Sequence, residues 1–244
     1  MIDSTITTVA LLERKPTISR SLFSRYWRDV HGVMAARIPG FDTYTQHHVT
    51  PLYDIAEPFE GIAIVTFKTA ADRAGLINSD VTQHIHRDEQ NVFRRAMLFN
   101  LDQGDHKVVL GSPDAVGQSL FVVMLAGEDA AAILQVLART AVFLATYDLT
   151  RGNPSGWNNT DTAGSSFVTL IHGIWPDAAS ARLAAQGFSC AYLSDERHVM
   201  VEDGLPTPVG LRGLSAVETI MEAGADNQLG ADVVRAIYGP LSGR

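Results

Sequence analysis

His31 closes the run Phe23-Ser-Arg-Tyr-Trp-Arg-Asp-Val-His-Gly32, and an imidazole there can do acid–base chemistry. A neutral imidazole takes a proton near neutral pH and its protonated form donates one, which suits enolisation, dehydration or aldol-type ring closure. Its plainer roles are bonding a free carbonyl at a helix end or satisfying a packed core. Tyr26 and Trp27 precede it and point different ways, since neighbours on a helix differ by about 100°. Tyr26 falls with Leu22 and Val30 on the apolar face, where its hydroxyl needs a partner or holds a substrate oxygen. Trp27 is left to line the edge of a pocket or to pack between halves.

A second group lies in Phe41-Asp-Thr-Tyr-Thr-Gln-His-His-Val49, whose composition favours a strand. Alternation puts Tyr44, Gln46 and His48 on one face and Thr45, His47 and Val49 on the other. The first set is expected to form a polar aromatic wall inside a barrel, the second to meet helices. His48 is therefore preferred over His47, and a one-residue slip would reverse that choice. His84 is placed at the pocket mouth, with His86 solvated. Asp88 and Glu89 can orient a pocket histidine, although surface acids or a helix cap are the simpler use of such a pair. Later in the chain, Tyr147, Asp148 and His172 are the corresponding polar candidates, with sheet-edge and core roles as the alternative. No His-Glu-x-x-His pattern occurs, and histidines close in sequence do not make a zinc centre, so no metal is expected.

These residues need elements to position them. Strands are expected over 5–12, 41–49, 61–67 and 96–101. Helices carry Leu22, Phe23, Tyr26, Val30 and Met34, then Ala70, Ala74, Ile77, Val81 and Ile85. Ser19 can cap the first helix, which Pro39-Gly40 ends. The order is β-α-β-β-α-β. After Gly111-Ser-Pro-Asp the order recurs through strands over 120–125, 142–150, 167–174 and 190–201, with helices over 129–139 and 177–186. A loop over 151–164 carries Asn153, Trp157, Asn158 and Asn159, suited to covering a cavity. The fold class is thus α+β, with two tandem ferredoxin-like βαββαβ modules (1–112 and 113–205) packed as an α/β barrel. A helical tail follows over 206–244. A four-stranded sheet with helices on one face must bury its other face, and a second such sheet can do so while enclosing a pocket.

Composition limits the role. The 244 residues are 46% apolar with a net charge of -8, which favours a buried core and disfavours a broad nucleic-acid surface. A single cysteine, Cys190, excludes an internal disulfide and any multi-cysteine metal site. Neither a signal peptide nor a membrane-length apolar run is visible, so a cytoplasmic setting without membrane contact is expected.

The strings Leu12-Glu-Arg-Lys-Pro-Thr-Ile-Ser, Tyr26-Trp-x-x-x-His-Gly32, Ala36-Arg-Ile-Pro-Gly40, Tyr44-Thr-Gln-His-His-Val49 and Asp88-Glu-Gln-Asn-Val-Phe93 resemble the EthD family. That family belongs to the ferredoxin-like dimeric α/β-barrel group, and the resemblance covers about the first hundred residues. It implies a barrel pocket in which a few polar side chains act on a bulky apolar molecule, often without metal or organic cofactor. Some more distant barrel relatives bind haem. The second half lacks the Tyr-Trp-x-x-x-His-Gly string, which argues against two equal sites.

The resulting expectation is a cofactor-independent lyase acting on a largely apolar cyclic or aromatic compound by dehydration, cyclisation or decarboxylation. His31, His48 and Tyr26 would be catalytic, with Trp27, Tyr44, Gln46, His84, Tyr147 and His172 binding substrate. The rivals are a non-catalytic small-molecule carrier and a haem- or metal-dependent oxygenase with His172 or His48 as ligand. Homodimerisation stays open.

Overall fold

The computed structural model describes residues 6–53, 58–151, 153–154, 166–210 and 215–238. Strand β1 (Ile6–Arg14) leads into helix α1 (Arg20–Tyr26), whose first turn is capped by Ser19: the Leu22 amide donates to Ser19 Oγ at 3.1 Å. A π-helical turn over Trp27–His31 and the short α2 (Gly32–Ala35) continue it. Strands β2 (Phe41–Pro51) and β3 (Gly61–Phe67) follow, then α3 (Ala70–Gly75), α4 (Thr82–Val92) and β4 (Phe93–Leu101). The single helical stripe expected from Ala70 to Ile85 is broken. A 3-10 turn at Leu76–Asn78 buries Leu76 and turns Ile77 out to 63% exposure, so the apolar series does not continue through it.

A strand not foreseen in the sequence, β5 (His106–Leu110), comes before Gly111 and pairs with a strand beyond it. The later elements are β6 (Gln118–Leu125), α5 (Ala130–Leu137), β7 (Phe143–Asp148), β8 (Asn153–Pro154), β9 (Phe167–Trp175), α6 (Ala178–Ala184), β10 (Ala191–Glu202) and β11 (Leu205–Pro206). Asp129 and Asp177 cap α5 and α6 through their carboxylates. Helices α7 (Ser215–Glu222) and α8 (Ala231–Tyr238) end the described chain.

The strands form one curled antiparallel sheet in the order β5-β7-β9-β6-β10-β2-β3-β1-β4-β8, with β11 beside β10. Its concave face gathers Val9, Leu11 and Phe99 with Phe121, Phe143 and Tyr192 into one core. The opposite face is covered in two parts. Helices α1, α2 and α4, with Ala216, Ile220, Val233 and Ile237 of α7 and α8, lie over the first strands. Trp175, Leu137 and Ala181 belong to the smaller cover over the later ones.

This arrangement corrects the expected location of the cavity. Large aromatic side chains fill the space between the two runs of strands. A mostly apolar pocket lies on the other side, between β1–β4 and their helices. Among the described residues, no helix is long and apolar enough to cross a membrane.

Candidate functional site

The local sequence around His31 explains itself residue by residue. The Gly32 amide donates to Trp27 O, five residues back, and this one-turn widening is a π-bulge of the kind often found at functional sites. A Cβ at Gly32 would lie 2.3 Å from Gln46 Nε2 and 2.8 Å from Met200 Cε, so only glycine lets the helix approach β2 and β10 so closely. Tyr26 and Trp27 do diverge. The Tyr26 hydroxyl donates to Asp88 Oδ1 at 2.5 Å, while the Trp27 ring stacks on Phe23 and on His48. A Cβ at Gly61 would meet the Trp27 ring at 2.8 Å, so that glycine leaves space for the indole.

His31 Nδ1 lies 2.8 Å from Asp88 Oδ2, and Asp88 is fully buried on α4. Asn91 Nδ2 donates to the other carboxylate oxygen at 3.2 Å and to Asn227 Oδ1 at 2.9 Å, tying the arrangement to the chain after α7. With Nδ1–H given to the carboxylate, Nε2 is the nitrogen left for the cavity, the tautomer a general base needs. The adjacent cavity is about 90 Å³ and mostly apolar, with Trp27, His31, Tyr44, Ile85, Glu89 and Phe93 in its wall. Burial foremost, then Asp88, pushes the Glu89 carboxyl up to about 8. Burial likewise raises the Tyr44 phenol, opposed by hydrogen bonds from Gln46 and Trp27.

A second cluster stands behind Trp27. His48, Glu196 and His198 each place one ligand atom within 4.8 Å of the others. Glu196 pairs directly with His48 across β10 and β2, and His198 with Gln46, so the three share a face. The register shifts between Ser194 and Glu196, making Asp195 an extra residue. Ser194 Oγ lies beside His47 on the concave side, 3.4 Å away, and the bulge then flips Glu196 and His198 to the helix side. His48 Nδ1 is 2.7 Å from Ser24 Oγ, and its Nε2 makes a longer 3.3 Å contact with Gln46 Oε1, the one a metal would displace. His198 Nε2 and Glu196 Oε2 are 2.9 Å apart. Burial, then His198 and two arginines, lowers His48 to about 3, so the ring is neutral and able to ligate. Two imidazoles and one carboxylate form a donor set that suits a first-row divalent transition metal.

The residues expected from the sequence thus divide. His31, Trp27 and Tyr44 line the cavity. Tyr26 and Gln46 stand behind it: Tyr26 bonds Asp88, and Gln46 Nε2 donates to Trp27 O at 2.9 Å and Tyr44 Oη at 2.8 Å. His48 faces the helices rather than the barrel interior, because Trp27 stacks against it there at 4.6 Å. His84 sits in a separate surface groove with Arg87 and Asp232. Tyr147 and His172 are in the concave core, Tyr147 stacked on His106 at 4.5 Å and His172 on Phe121 at 4.4 Å. A haem at His172 does not fit: the ring lies among Phe121, Phe143 and His47, and its Nε2 contacts Ser119 Oγ at 3.2 Å. Trp157, Asn158 and Asn159 lie outside the described residues, as does the side chain of Asn153. Asp88 and Glu89 stood in the sequence as candidate partners of a pocket histidine, with a surface or capping role preferred, whereas nothing there pointed to Glu196 and His198. The Asp88-Glu89 pair was at least visible next to the apolar helix stripe.

The curled antiparallel sheet and the helices over it make an α+β half-barrel fold. Residues 15–95 match the EthD domain. An anthrone oxidase-like protein of known structure superposes with a TM-score of 0.51 at 12% identity, over 81% of this chain and 94% of that one. A chlorite dismutase variant from Candidatus Nitrospira defluvii gives 0.37 at 9% identity, over 90% of this chain and 95% of the other. No curated protein sequence matches the chain. The expectation of a cofactor-independent lyase is corrected here. The His48–Glu196–His198 donor set favours the metal-dependent alternative.

Proposed function

We propose that the protein is a metal-dependent oxidoreductase, of oxidase or oxygenase type, acting on an apolar ring compound. The observation that carries this is the pair of imidazoles and the carboxylate brought within 4.8 Å beside the cavity wall. Iron(II) is the ion that best combines with such a set in oxygen chemistry, and when bound it supplies one-electron reactivity toward dioxygen. The name of the anthrone oxidase-like structure supports the same class of reaction and substrate.

In this reading the chain's own residues do the following. The apolar walls, with Phe93 and the Trp27 indole, hold the ring and keep water out. His31 Nε2 takes a proton from a ring carbon activated by a carbonyl, and Asp88 steadies the imidazolium that results. Tyr26 and Asn91 hold Asp88 in place. Trp27 forms the partition between cavity and ligand set, while Ser24 fixes the orientation of His48 as an outer partner.

The two-module description extends this reading. Strand orders β2-β3-β1-β4 and β7-β9-β6-β10 follow one permutation, which supports modules over 1–112 and 113–205 with a tail over 206–244. Only the first carries the His31 string, giving one chain one active cavity, in a cytoplasmic setting.

Cobalt(II) titration tests the ligand set by its visible absorption. Wild type should take up one equivalent with a ligand-field band, and a Glu196→Ala, His198→Ala double variant should lose the band while remaining folded. An identical band in both proteins would remove the site.

A further inference from the structure

Glu89 stands where an apolar side chain would be the ordinary choice. On α4 it shares a stripe with Ile85, four residues before, and both line the cavity. It is only 8% exposed, and among the described residues no hydrogen bond or ion pair reaches its carboxyl group. Asp88, one residue earlier and about 100° around the helix, is turned to His31 and Tyr26 instead. One helix therefore sends two acids to different places, one to fix a base and one into the cavity.

Several other polar groups of the wall have partners, while Trp27 Nε1 is buried without a well-formed one among the described residues. Thr8 Oγ1 donates to Asn100 Oδ1 at 2.8 Å, the Tyr44 hydroxyl accepts from Gln46, and His31 Nδ1 is held by Asp88. A buried polar group left without a partner costs about 1–3 kcal/mol, which a ligand atom can offset. With its carboxyl raised to about 8, Glu89 carries its proton at neutral pH and presents an O–H donor to the cavity. What complements such a donor is an acceptor oxygen on an otherwise apolar molecule.

We propose that Glu89 is the recognition group for a carbonyl oxygen of the bound ring compound, donating a hydrogen bond to an aryl ketone. This rests on the reading of the cavity as the substrate site. The acid does not act as the base; His31 does, and the two mark opposite needs of an enolisable ketone, a donor for oxygen and an acceptor for the carbon-bound proton.

Calorimetric binding of 1-tetralone and of tetralin, a hydrocarbon of nearly the same shape, tests this at pH 6 and pH 9. Wild type at pH 6 should prefer the ketone by about 5- to 10-fold, the worth of one neutral hydrogen bond. At pH 9 ionisation of Glu89 should erase that preference. Glu89→Gln should keep a preference at both pH values because its amide still donates, and Glu89→Leu should bind tetralin at least as well as wild type with no preference for the ketone. An undiminished preference in Glu89→Leu, or in wild type at pH 9, would overturn the assignment while leaving the cavity reading intact. Failure of both molecules to bind wild type at pH 6 would overturn both. The wild-type pH comparison decides the matter even if a variant does not fold.

Discussion

Two pairs of histidines lie on opposite faces of the same sheet, and their surroundings differ. On the helix side, His31 and His48 each have a hydrogen-bonding side chain and lie next to a cavity or to further ligand atoms. On the concave side, His172 stacks on Phe121 and His47 meets the same ring edge-on, the two imidazoles 5.2 Å apart. Burial first, then the neighbouring positive charges, lowers both; His172 falls to about 3. Among the described residues, these two rings make their polar contacts with the hydroxyls of Ser194 and Ser119, and with no carboxylate. Histidine content therefore does not distinguish a site from a core; a carboxylate close by, and either adjoining space or further ligand atoms, do.

The largest expected effect is on turnover. His31→Gln should lower the rate by about 100-fold or more, the usual worth of a positioned acid–base group, whereas His172→Gln should change it less than about threefold. Comparable losses in steady-state rates for both would erase the contrast. Next comes stability. Gly32→Ala forces a methyl group into Gln46 and Met200 and should cost about 1–3 kcal/mol in urea unfolding, with no such cost for Gly75→Ala, where nothing lies near the added carbon.

The two faces should also respond oppositely to pH. His172 has a lowered pKa, so the unfolded chain binds its proton first and stability is lost as pH falls from about 6.5 toward 3. Glu89 has a raised pKa, so its contribution is complete below about 4.5 and is lost as pH rises through about 8. Thermal melts should show Glu89→Gln flattening the alkaline decline and His172→Gln the acid one. Exchange of these two behaviours would refute the burial assignments. The smallest effect belongs to the exposed Arg25–Glu222 pair joining α1 to the tail. Arg25→Ala should cost less than about 1 kcal/mol, measured the same way.

Much of the helix side was legible in the sequence, because local rules govern it. Ser19 capping, the divergence of Tyr26 and Trp27, and the shared face of Tyr44, Gln46 and His48 all follow from helix and strand periodicity. Which way that strand face looks depends instead on where the second run of strands packs. It packs on the side of His47, so the face assigned to the barrel interior looks toward the helices, and of its residues Tyr44 lines the cavity there. Asp88 reads as a surface acid until Tyr26, His31 and Asn91 are seen to surround it. Glu196 and His198 lie about 150 residues from His48, and a bulge at Asp195 sets their side of the sheet. No spacing rule anticipates that combination. β5 escaped notice because its partner is Phe143–Asp148, across the Gly111 turn.

Oxygen uptake with anthrone by the iron(II)-loaded chain tests the central claim most directly. Wild type should consume oxygen, His31→Gln and the Glu196→Ala, His198→Ala double variant should each fall to near background, and His172→Gln should match wild type. Uptake that survives in both of the first two variants, or that vanishes only in the last, would contradict the placement of the active centre beneath the helices.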